Sequence, residues 1–196
     1  MDRRSFLALS ALFATSWLTP AAAQSQAESD WASFNGLASV FLSLIHATDP
    51  IADFIEKRRF VSFLDDVNET LVEMISEKQD IYNKLDSAAC SDGESTPIEA
   101  IESSRDLSRL LQVLQAEIQT LGLCIRISEI REQTLSLADQ MSSIRGGKAW
   151  ISRVNDYCRT AAGEDRKRFL AEIKTSTEMV SAAQRGLGDL LTKLGQ

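Results

Sequence analysis

Apolar residues recur through most of this chain at intervals of three and four, the spacing that gathers them on one side of an α-helix. Phe54, Val61, Leu64, Leu71, Ile75, Tyr82 and Leu85 make one row, and Phe60, Phe63, Val67, Met74 and Ile81 make a second beside it. Two adjacent rows are too wide for a two-stranded coiled-coil seam, so this helix, opened by Asp49-Pro50 and running to about Ala88, should touch at least two others. Before it, Asp30 is a candidate N-cap for a helix reaching about Ala47.

Cys90-Ser91-Asp92-Gly93-Glu94-Ser95-Thr96 is loop chemistry, and Pro97 suits the first turn of a new helix capped by Ser95 or Thr96. Leu107, Leu111, Leu114, Ile118, Leu121 and Ile125 follow, and the stripe then shifts one position to Ile127, Ile130, Leu137, Met141 and Ile144. The shift predicts a bend or break near Gly122. Arg145-Gly146-Gly147-Lys148 reads as a tight reversal. Trp150, Ile151, Val154 and Tyr157 then face inward, Gly163 interrupts, and Leu170, Ile173, Val180, Leu187, Leu191 and Leu194 carry the last stripe.

No stretch alternates apolar and polar residues long enough to make a strand. The expected fold is all-α, a bundle of long antiparallel helices with bends near Gly122 and Gly163, giving four to six helices. Few aromatic residues, 3 Pro and 9 Gly agree with this and argue against a turn-rich β-sandwich.

The first 23 residues fall outside this pattern. Arg3 and Arg4 precede an apolar run from Phe6 to Leu18, shorter than the roughly 20 residues a membrane-spanning helix needs. Thr19-Pro20-Ala21-Ala22-Ala23 then offers small residues to a signal peptidase, placing cleavage between Ala23 and Gln24. The expected organisation is a cleavable export signal over 1–23 and a single helical-bundle domain over 24–196. The Arg3-Arg4-Ser5-Phe6-Leu7 core resembles the bacterial twin-arginine (Tat) export motif. That resemblance implies export to the periplasm or beyond, in a folded state, and bears on the signal alone.

The whole chain carries 21 basic and 28 acidic residues; losing Asp2, Arg3 and Arg4 with the signal leaves 19 and 27, net −8. That sign excludes a general nucleic-acid binder, which needs a basic face for phosphates. Two basic clusters, Lys57-Arg58-Arg59 and Arg166-Lys167-Arg168, sit among acidic neighbours and read as charge-paired, solvated faces. Asp65, Asp66, Glu69, Glu73, Glu77 and Asp80 read as the wet face of the second helix, and Asn68-Glu69-Thr70 matches a glycosylation sequon by coincidence.

Candidate chemistry is sparse. The three cysteines stand 34 residues apart each time, unlike the close pairs of zinc sites. With a hairpin at Gly146-Gly147, Cys124 and Cys158 would lie about 16 Å out of level. Cys90–Cys158 is therefore the candidate disulfide, permitted in an oxidising compartment. His46 is explained by its place at a helix C-terminus, where a basic side chain meets the helix dipole favourably. No nucleophile motif, phosphate loop or metal motif is present, so no catalytic residue, metal or cofactor is expected.

Trp31 to Thr48 contains no charge apart from His46. A helix apolar all round belongs in a core, against a partner, or on a membrane surface; its serines and Asn35 make it a poor spanning segment. Core burial is the first reading, with Trp31, Phe34, Leu37, Phe41 and Leu44 as candidate docking residues in the second. The functional expectation is an exported, non-enzymatic bundle that binds an envelope or secreted protein, in one form an inhibitor or immunity-type protein meeting a basic toxin. The alternative is a small-molecule sensor with its site at the bends near Gly122 and Gly163; an enzyme stands third.

Overall fold

The computed structural model describes residues 20–47, 54–90, 95–143, 146–159 and 163–195. They form six α-helices: α1 Pro20–His46, α2 Phe54–Asp86, α3 Ile98–Cys124, α4 Ser128–Ser143, α5 Gly146–Asn155 and α6 Gly163–Gly195, with one 3-10 turn at Tyr157–Arg159 before α6. No strand occurs among the described residues. The twin-arginine residues Arg3, Arg4, Phe6 and Leu7 lie outside them, whereas the backbone at Ala23 and Gln24 lies within α1.

Direction follows from contacts. Thr70 bonds Glu117 and Lys84 bonds Ser103, so α2 and α3 run antiparallel. Gln184 bonds Asn68 and Lys78 bonds Ser176, so α6 is antiparallel to α2 as well. Gly122 lies against Leu135, and Thr96 donates to the carbonyl of Asn155, so α4 and α5 descend α3 as one arm. The packing closes into a ring: α1 on α6, α6 on α2, α2 on α3, α3 on α4 and α5, and α4 back on α1.

That register corrects the expected reversal at Arg145–Lys148. The chain turns back at Ile125–Ile127, where α3 ends with the Ile125 N–H on the Gly122 carbonyl. Gly146 and Gly147 instead open α5, which continues in the direction of α4. Gly122 is helical and is not itself the break; a Cβ there would stand 2.9 Å from Leu135 Cδ2, so its bare backbone lets α4 fold back closely. Gly36 does the same between α1 and α4, where a Cβ would stand 2.6 Å from Leu137 Cδ2. The predicted interruption at Gly163 is a break, with α6 starting at that residue.

Two expected caps are not used. Asp30 lies inside α1. Pro97 takes the position before α3 and no side chain caps it. The Thr96 hydroxyl is spent on tertiary structure, donating to Asn155 O at 2.9 Å and accepting from the Cys158 N–H at 3.3 Å. It ties the start of α3 to the end of α5, beside the Cys90–Cys158 disulfide with its Cα atoms 4.9 Å apart. Cys124 ends α3, so a helix of 27 residues, about 40 Å long at 1.5 Å per residue, separates its level from that of Cys158.

Candidate functional site

The side chains proposed for docking are in the core. Trp31, Phe34, Leu37, Phe41 and Leu44 are buried with Val40 among residues of α2 to α6. An apolar face already covered by α6 and α4 is not available to a partner, so core burial, the first of the two readings of α1, describes this state. His46 is exposed in the last turn of α1.

The charged residue that periodicity turns inward is Lys78. Leu64, Val67, Leu71, Met74, Lys78, Ile81 and Leu85 step by three and four along α2, and every one is buried. Lysine is the single charged residue in that row, and helix geometry obliges it to point inward with its neighbours. Its Nζ donates to Ser176 Oγ at 2.6 Å, and Ser176 passes the chain on to the Ile173 carbonyl at 2.9 Å. The amine lies 3.4 Å from the centre of the Trp31 ring and 4.9 Å from that of Trp150. Trp31 stacks on Phe34, and Trp150 meets Trp31 edge-on and Phe169 at a tilt. Burial pushes the Lys78 pKa well below its ordinary value. Such an amine has the electronic character of a nucleophile, but it is enclosed on all sides and substrate does not reach it in this state.

A second assembly lies on the outer seam between α2 and α3. Thr70 Oγ1 donates to Glu117 Oε1 at 3.0 Å across the seam, while Glu117 Oε2 is buried without a hydrogen-bond partner. The Glu117 pKa is raised, first by burial and then by the charges of Asp66, Glu69 and Glu73, against the opposing bond from Thr70. Those three carboxylates are exposed, and none of the ion pairs among the described residues includes them. No Lys or Arg occurs between Phe60 and Glu77 or between Leu110 and Ile125. Val113, one turn before Glu117, adds a large exposed apolar side chain. Sequence reasoning found the acidic face of α2 but not its junction with Glu117, which sits 47 residues away and joins it only through helix pairing.

The second basic cluster and the sequon residues are engaged within the fold. Arg166 Nη1 donates to the Cys90 carbonyl, Lys167 pairs with Glu164 and Arg168 with Asp165. Arg58 and Arg59 are exposed near the start of α2. Asn68 Oδ1 accepts from Gln184, and Thr70 is buried, so the sequon residues serve helix packing. No group of three or more His, Cys, Asp or Glu suited to a metal occurs among the described residues, and no helix among them is long and apolar enough to cross a membrane. Comparison with protein families, with curated proteins and with solved structures found no match to this chain.

Proposed function

We propose that this chain is an exported helical-bundle protein that acts by binding a basic protein partner through the α2–α3 seam. The observation that carries the reading is the cluster of Asp66, Glu69, Glu73 and Glu117, which no ion pair among the described residues compensates, with exposed Val113 one turn before Glu117. Like charges held together raise one another's energy, and a cationic surface relieves that repulsion while covering Val113. Field strength of this kind speeds encounter with a basic protein and rejects acidic ones. An inhibitor or immunity-type protein facing a basic secreted toxin is one concrete form. The Tat-like signal and the Cys90–Cys158 disulfide support an oxidising compartment, periplasmic or extracellular.

The test is capture from envelope extract by the purified protein, compared with two charge reversals. Glu69→Lys/Glu73→Lys should abolish capture of a basic protein, and capture by the wild type should weaken with added salt. Glu164→Lys/Asp165→Lys, at the start of α6, should leave it intact. Capture that survives the seam reversal would defeat the proposal.

A further inference from the structure

A groove of about 670 Å³ opens where α2 begins and where α3 turns into α4. Arg59 reaches it from the second turn of α2, Arg126 from the α3–α4 link and Arg131 from the first turn of α4; Phe63, Leu123 and Ile125 supply apolar lining. Among the described residues no carboxylate lines it, and none of their ion pairs takes any of the three arginines. In a chain of net charge −7, three guanidinium groups converging on one concavity, with no counter-charge among its described lining residues, give a local positive field. Leu123 is 70% exposed beside them, a large apolar side chain left in water. Volume in this range is that of small-molecule sites, roughly 300–1,000 Å³.

We propose that this groove binds a small amphiphilic anion, its phosphate or carboxylate head held by Arg59, Arg126 and Arg131 and its hydrocarbon body laid against Phe63, Leu123 and Ile125. Guanidinium groups match such heads because their planar N–H forks pair two oxygens at once. The apolar lining selects against bare inorganic ions, and the three guanidinium groups select against cations. The site lies at the opposite end of α3 from the disulfide and is built from different residues than the α2–α3 seam, so it stands independently of the protein-binding role.

Calorimetric titration of the purified protein tests this with octyl phosphate below its critical micelle concentration. One saturable site is expected. Inorganic phosphate and neutral octyl glucoside should each bind at least about tenfold more weakly, a loss of about 1.4 kcal/mol or more. Arg59→Gln/Arg126→Gln/Arg131→Gln should weaken octyl phosphate by at least about tenfold while keeping the wild-type circular dichroism and melting temperature, since Arg59 and Arg126 are exposed and Arg131 is half-buried. Leu123→Gln should weaken octyl phosphate but leave the weak phosphate binding unchanged. Undiminished binding by the triple variant, equal binding of octyl glucoside or phosphate, or binding only to phosphatidylglycerol vesicles would each overturn the proposal.

Discussion

Lys78 of α2 is buried with its Nζ 3.4 Å from the centre of the Trp31 ring of α1, and none of the ion pairs among the described residues includes it. A π-face and a serine hydroxyl are weak compensation for taking an ammonium out of water, so the amine favours its neutral form. Between its lowered pKa and the ordinary value near 10.5, the unfolded chain holds a proton the native chain does not. Stability therefore rises with pH across that interval.

Lys78→Met, which keeps the length of the side chain and discards the amine, should stabilise the fold at neutral pH by about 1–3 kcal/mol. It should also remove the alkaline rise. Urea denaturation at several pH values between neutrality and the ordinary lysine pKa measures both. Equal pH slopes for the two proteins would mean that Lys78 is not the titrating group.

Glu117 works in the opposite direction. Its raised pKa means that the native state holds a proton through a window above 4.5 in which the unfolded chain has released it. Stability then falls as pH rises through that window. Glu117→Gln keeps an acceptor for Thr70 and removes the charge that burial and its three acidic neighbours oppose. It should raise the melting temperature at neutral pH and shrink the fall, which thermal melts from acid to neutrality will show.

The Cys90–Cys158 disulfide closes a stretch of 68 residues containing α3, α4 and α5. A loop of that length corresponds to about 4 kcal/mol in the chain-entropy account of cross-links. Cys90→Ser/Cys158→Ser, or the reduced wild type, should lose stability of that order in urea denaturation. Reduction should have no further effect on the double variant.

Gly36 lets α1 approach α4, with Leu137 Cδ2 only 2.6 Å from where a Cβ would stand. Gly36→Val puts branched bulk into that contact and should destabilise by about 1–3 kcal/mol. Adding Leu137→Ala should recover part of the loss. Melting temperatures of the single and double variants give the comparison, and no recovery would mean that the strain lies elsewhere.

The α2 rows show how far periodicity carries. Phe60, Val67, Met74 and Ile81 of one row and Leu64, Leu71 and Leu85 of the other are all buried, and both rows are needed because α2 touches α3 and α6. The same logic places Lys78 at an inward step, but the rows are followed through their apolar residues and the wet face through its acids, and Lys78 belongs to neither set. Periodicity was weaker at the turns. Gly146-Gly147 carries reversal chemistry, yet glycine at a helix start is equally allowed, and only packing against α3 shows that α4 and α5 share one arm. The disulfide pair was named from a hairpin in the wrong place; the same two residues meet because Thr96 draws the end of α5 to the start of α3.

By itself, then, the sequence determined the helical class, the wide stripes, the interruptions near Gly122 and Gly163, and the run from Trp31 to Thr48 without Asp, Glu, Lys or Arg, because each depends on residues within a few turns of one another. Tertiary structure alone decided which arms are neighbours, and with that the Lys78–Trp31 contact, the Thr70–Glu117 junction and the convergence of Arg59, Arg126 and Arg131 on one groove. Those relationships join residues that helix periodicity cannot bring together, since it fixes which face a side chain occupies and not which helix that face will meet.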